Sequence, residues 1–113
     1  MSAVTLATRD MRQAVRFYRS IGFELRYGGE TAPFTTFSVG TSYLNLTSGS
    51  SDPRGPGWGR IVFHVEDVDA FYAGVLAQNL RPESAPRDAQ WGERYFHLTD
   101  PDGHELSFAT PLA

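Results

Sequence analysis

Hydrophobic and polar positions along the chain change period several times, and the changes mark out elements. Val4 and Leu6 alternate with Thr5 and Ala7, a strand pattern that ends at Thr8-Arg9. Asp10 follows, with Gln13 three places on, a spacing that predicts a capping box at a helix start. Met11, Ala14, Val15, Tyr18 and Ile21 then fall at helical spacing, Phe17 widens the stripe, and Gly22 supplies a left-handed stop. Three strand-like runs come next: Phe23 to Arg26, Phe34 to Val39 and Tyr43 to Thr47. A second series begins after a Gly/Pro-punctuated stretch. Ile61, Phe63 and Val65 alternate with Val62 and His64, and Asp67 caps a helix with the stripe Val68, Phe71, Tyr72, Val75 and Leu76, closed by Arg81-Pro82. Strands are expected near Pro82 to Ala85, over Arg94 to Thr99 and over Glu105 to Ala109.

A shift of 57 places lays Val4, Leu6, Asp10 and Met11 over Ile61, Phe63, Asp67 and Val68. Strand, cap and helix coincide, so the chain reads as an internal duplication, strand–helix–strand–strand–strand twice over. The expected class is α+β. Module 1 spans about residues 2–48, a linker about 49–59 and module 2 about 60–111, all within one domain of 113 residues. With one helix per module, each helix covers one face of a sheet and leaves the other face free to line a cavity.

Composition narrows the function. Net charge is −3, which lacks the cationic surface that nucleic acid or an anionic membrane needs. There is no Cys, which excludes disulfides, thiolate metal sites and thiol nucleophiles. All ten basic residues are Arg, which removes Schiff-base and lysine-base chemistry. The start of the chain carries no signal-like pattern and no run approaches a membrane span, so the expected location is the cytoplasm.

The duplicated unit, the series Asp10…Phe17-Tyr18…Ile21-Gly22-Phe23, and Asp100-Pro101-Asp102-Gly103-His104-Glu105-Leu106 resemble the vicinal oxygen chelate superfamily. That superfamily includes glyoxalase I, extradiol dioxygenases, fosfomycin-modifying enzymes and bleomycin-resistance binding proteins. The resemblance spans about residues 3–110. It implies two βαβββ modules whose curved mixed sheets form an open cup, usually in a homodimer. It also implies four metal-ligand positions, which fall here on Ala3, Asn45, Arg60 and Ser107. A methyl group, a neutral amide, a permanent cation and a hydroxyl are no set of ligands for a divalent ion. The expectation is therefore no metal and no cofactor. A slip of one residue would turn Leu44, Leu46, Leu106 and Phe108 to the wrong face, so the register resists rescue.

Strand alternation places Val62 and His64 with Arg60, Glu105 with Ser107, and Tyr43 with Asn45, and turns His97 the same way. Arg60 then has two readings: a fixed positive charge for an anionic ligand, or an ion pair with Glu105. His64, His97 and Glu105 offer a displaced metal site as a further alternative, and either His a general base. His104, in the Asp-Pro-Asp-Gly turn, is expected to cap the turn or face solvent. Trp91, beside Gly92, offers a flat stacking surface, which Phe34 and Tyr43 extend, or else plugs a dimer interface or the end of the cup; Trp58 sits between glycines at the start of the second module. Gly55, Gly57 and Gly59 lack the features of a phosphate loop.

These residues, Phe34, Tyr43, Asn45, Arg60, His64, Trp91, His97, Glu105 and Ser107, make up the expected site. The leading expectation is a metal-independent protein that sequesters or carries a small anionic or heteroaromatic molecule, of the bleomycin-resistance type associated with antibiotic resistance. The alternative is a glyoxalase-like lyase or isomerase, or a dioxygenase, with an unconventional metal site or none. Exposed apolar sheet edges predict a homodimer.

Overall fold

The computed structural model describes residues 3–48 and 60–112. The predicted linker and Trp58 lie outside the described residues. The chain divides into two compact units, Met1–Pro56 and Gly57–Ala113. The first holds β1 (Ala3–Thr8), α1 (Met11–Ser20), β2 (Glu24–Tyr27), β3 (Phe34–Val39) and β4 (Ser42–Ser48). The second holds β5 (Arg60–His64), α2 (Val68–Ala77), β6 (Arg87–Asp88), β7 (Glu93–Thr99) and β8 (Glu105–Pro111). Each is a βαβββ module, and the architecture is α+β as expected.

The sheets share one topology, β1-β4-β3-β2 and β5-β8-β7-β6. In each, the first strand runs parallel to the last, with Ala3 opposite Tyr43 in one and Arg60 opposite Glu105 in the other. The remaining pairs are antiparallel. The helices start as the caps predict. Asp10 Oδ1 accepts the Gln13 N–H at 3.1 Å and Asp67 Oδ1 the Ala70 N–H at 3.1 Å, each satisfying one donor that the first turn leaves unpaired. The return bond at the first cap comes from Thr8: the Asp10 N–H donates to Thr8 Oγ1 at 3.2 Å.

Alternation along the strands separates two faces, and the apolar face of each sheet packs on its helix. In the first module Leu6, Phe37, Leu44 and Leu46 meet Ala14, Val15 and Tyr18, and the Tyr18 ring stacks on Phe23 with 5.6 Å between centroids. In the second, Phe108 lies 5.5 Å from Phe63, 4.5 Å from Phe71 and 5.4 Å from Phe96, the centre of an aromatic cluster on α2. Each fully buried ring of this kind stabilises the fold by about 1.5–3 kcal/mol through removal of apolar surface from water. Gly22 has φ +98, the left-handed conformation expected after α1.

The second strand of module 2 corrects the sequence expectation. It was expected near Pro82 to Ala85, but β6 is only the pair Arg87–Asp88. Pro82 and Pro86 have no N–H for a ladder, so regular pairing begins only after the second proline; upstream, Glu83 alone donates its N–H to the His97 carbonyl at 3.1 Å. The α2 helix also stops earlier than Arg81, because Asn79 takes φ +62 two residues after Ala77.

Candidate functional site

The face of the second sheet turned away from α2 is polar, and the register dictates its members. Arg60 is opposite Glu105, Val62 opposite Ser107, and His64 opposite Ala109; on the other side of β8, His97 is opposite Ser107 and Tyr95 opposite Ala109. Residues directly opposite share a face. Arg60, Val62, His64, Glu93, Tyr95, His97, Glu105 and Ser107 therefore lie together, while Ile61, Phe63, Phe96, Leu98, Leu106 and Phe108 take the helix side.

Most of the polar groups on this face have partners of their own. Arg60 Nη2 donates to Glu105 Oε1 at 3.1 Å, an ion pair about two-fifths exposed at both ends. His64 Nε2 lies 2.7 Å from Glu93 Oε2, and Trp91 Nε1 donates to Glu93 Oε1 at 2.9 Å, so one carboxylate ties an imidazole to an indole. Those two bonds, the His64 bond first, hold the Glu93 carboxyl below the usual carboxylate range by favouring its anion. Ser107, only 4% exposed, has its Oγ 2.5 Å from His97 Nδ1. Burial first, and then the charge on Arg60, push the His97 pKa below the ordinary imidazole value; Arg87 acts the same way and Glu83 and Glu105 oppose it. The shift favours the neutral imidazole at pH 7, and its Nδ1 shares with the Ser107 hydroxyl a hydrogen bond whose direction follows the tautomer.

An aromatic row crosses the same face. The Trp91 ring is 5.4 Å from Tyr95 at 31°, and Tyr95 is 5.0 Å from His97 at 49°. Trp91 is 69% exposed, so the free side of its indole is open to solvent. It projects there because Gly92 takes φ +95 and turns the chain into β7.

The first module carries Phe34, Tyr43 and Asn45 on the corresponding face of its own sheet. Asn45 is opposite Thr5 and Thr36, whose hydroxyls engage its amide: Thr36 Oγ1 donates to Oδ1 at 2.8 Å, and Nδ2 donates to Thr5 Oγ1 at 3.4 Å. Tyr43 lies between Ala3 and Ser38, and Phe34 is exposed at the end of β3.

The donor chemistry does not fit the divalent metal whose four ligand positions the resemblance implies. Ala3 offers no donor atom, the Asn45 amide is held by two threonines, Arg60 is cationic and paired, and Ser107 bonds His97. The displaced site drawn from His64, His97 and Glu105 does not form either: the three have separate partners in Glu93, Ser107 and Arg60. His104 also differs from expectation. It is buried, and the turn is capped by Asp100 Oδ1, which accepts the N–H groups of Asp102 at 2.9 Å and His104 at 2.8 Å.

Three members of the polar face were not among the sequence candidates: Glu93, Tyr95 and Arg87. For the first two the signal was present, since they stand four and two places before His97 on one strand.

Comparison with known proteins accounts for the duplication and the motifs. Residues 1–108 match the model of the glyoxalase/bleomycin resistance protein/dioxygenase superfamily, and the chain belongs to that superfamily. Its fold is similar to that of a bleomycin resistance determinant encoded on the transposon Tn5, with a TM-score of 0.82 and 23% identity over 98% of this chain and 97% of that one. TioX from Micromonospora sp. ML1 is similar at 0.80 and 22%, covering 98% of each chain. Lactoylglutathione lyase from Agrobacterium tumefaciens is similar at 0.77 and 20%, covering 97% and 92%. Comparison with curated proteins found no match. Among the described residues no helix is long and apolar enough to cross a membrane.

Proposed function

We propose that this protein is a metal-independent member of its superfamily that binds a small anionic or heteroaromatic molecule on the polar face of the second module, to sequester or carry it. The observation that carries this reading is the Arg60–Glu105 ion pair at 3.1 Å, standing where the superfamily's enzymes place a metal ligand. A guanidinium has no lone pair to give a metal, and it supplies a fixed cation in its place. Trp91 adds an open aromatic plane, and His97, Ser107 and His64 add hydrogen-bonding groups around it. In this reading Phe34, Tyr43 and Asn45 form a second, uncharged polar surface on the first module, and the protein works as a cytoplasmic homodimer. The superfamily also includes the bleomycin-resistance type, and that kinship supports sequestration.

A second reading, a metal-free lyase or isomerase, is favoured by one feature. Burial favours the neutral form of His97, and in the tautomer that donates Nδ1–H to Ser107 Oγ its Nε2 keeps the lone pair of a general base.

The test is elemental analysis of the purified protein, followed by calorimetric titration with nickel, zinc, iron(II) and manganese. The expected result is no stoichiometric metal and no saturable binding heat. Stoichiometric metal that disappears in His64→Ala or His97→Ala would overturn the proposal.

A further inference from the structure

The shortest strand of the molecule is held from both sides. On the helix side of the sheet, Arg94 Nε donates to both carboxylate oxygens of Asp69 at 3.1 and 3.0 Å, and Arg94 Nη1 donates to Asp88 at 3.1 Å. This ties β6 to α2 through the start of β7. Asp88 faces that side, so alternation turns its neighbour Arg87 to the polar face, opposite Tyr95. There Arg87 Nε donates to Tyr95 Oη at 3.0 Å, and the guanidinium carbon lies 5.4 Å from the Tyr95 ring centre.

The charges on this face are unevenly matched. Arg60 has Glu105, and His64 has Glu93. Arg87 has no carboxylate within ion-pair distance among the described residues; a phenol oxygen and a ring are what hold it. Its Nε is occupied by Tyr95, which leaves the outer edge formed by Nη1 and Nη2, a fork whose spacing matches the two oxygens of a carboxylate. Trp91 lies on the same Tyr95 ring, also 5.4 Å from its centre. The indole and the guanidinium thus border one and the same ring.

Resting on the binding function proposed above, we infer that the ligand is a planar aromatic carboxylic acid, its ring laid on the exposed side of Trp91 and its carboxylate read by the outer fork of Arg87. Among the described residues, the anion answers the cation of this face that lacks a carboxylate, Arg87, and the ring covers the exposed indole of Trp91. A neutral aromatic leaves Arg87 unanswered, and an aliphatic acid forgoes the stacking.

The experiment is calorimetric titration at low salt with three probes: 2-naphthoate, 2-naphthamide and cyclohexanecarboxylate. The wild-type protein is expected to bind naphthoate about tenfold more tightly than naphthamide, the scale of a charge-assisted hydrogen-bonded pair, and cyclohexanecarboxylate more weakly than naphthoate. Arg87→Gln is expected to remove the acid–amide gap by weakening naphthoate far more than naphthamide. Arg87→Lys should keep part of the gap, because it keeps the charge but not the fork. Trp91→Ala should weaken both aromatics alike. If the acid and amide bind equally, or the gap survives in Arg87→Gln, while Trp91→Ala still weakens both, Arg87 is not the reader and the binding face stands. If neither aromatic binds, or Trp91→Ala changes nothing, the binding face itself is wrong and this inference falls with it.

Discussion

The two modules are the same structure carrying different chemistry. Their ladders correspond pair for pair: Thr36 meets Asn45 across an antiparallel pair at 2.8 Å, and His97 meets Ser107 across the equivalent pair at 2.5 Å. Yet β1, β3 and β4 contain no charged side chain, whereas β5, β7 and β8 bring Arg60, Glu93 and Glu105, together with His64 and His97, to the face away from the helix. The charges of the first module sit outside its sheet core, as in Arg12 and Arg16 of α1, which share Glu30 at 3.7 and 3.4 Å. Stability comes from the helix-facing side of each sheet, which is apolar in both copies. The opposite side carries little of the packing, so it can diverge, and in the second module it holds a set of charged and hydrogen-bonded side chains.

The edge strands differ as well. In the first module the turn after β2 needs Gly28, at φ +80, where an added Cβ would stand 2.2 Å from the Phe34 carbonyl oxygen; Thr35 Oγ1 then clamps both the N–H and the carbonyl of Gly29 at 3.1 Å. In the second module side chains replace this backbone device: Arg94 on one face of β6 and Tyr95 on the other.

These contrasts can be broken or sharpened by measurement. If the two cores are equivalent, Phe37→Ala and Phe108→Ala should each lower unfolding free energy by about 3–5 kcal/mol in denaturant titrations; a large loss from only one would mean that one module supports the other. Gly28→Ala should lose about 1–3 kcal/mol from a backbone that an L-residue cannot adopt without strain. A loss near zero would show that the first module's edge is as loosely held as its sequence makes it look.

The smallest effect is pH dependence, and it belongs to the second module. His97 has a folded-state pKa below its unfolded value, so between the two the unfolded chain binds more protons, and stability falls as pH drops below about 6.5 until the folded pKa is reached. Glu93, also depressed in the folded state, adds a second loss as pH falls through the ordinary carboxylate value toward the folded one. His97→Gln should remove the upper decline in thermal melts taken from pH 7 to about pH 3 and leave the lower one. If the upper decline persists, the imidazole that titrates is another.

Much of the fold was legible in the residue pattern. Periods of two and of about 3.6, two aspartate caps and a 57-residue shift locate both modules, because each is a local signal repeated in one chain. The unsuitability of Ala3, Asn45, Arg60 and Ser107 for a metal was equally plain, since donor chemistry is a property of the side chain alone. The position of β6 was not legible: a two-residue strand after Pro86 has no period to detect.

What the sequence determined by itself, then, is which side of each strand is apolar and which chemical groups stand on the other side. Which groups meet was decided by tertiary structure. Arg60 reaches Glu105 across 45 positions and His64 reaches Glu93 across 29, and neither pairing exists until β5, β7 and β8 lie side by side in register. Arg87 owes its place to the same assembly, through Arg94 and Tyr95. The reason is physical. Burial of apolar surface follows from local spacing, but an ion pair or hydrogen bond requires two atoms within about 3 Å, and only the folded ladder brings distant residues that close.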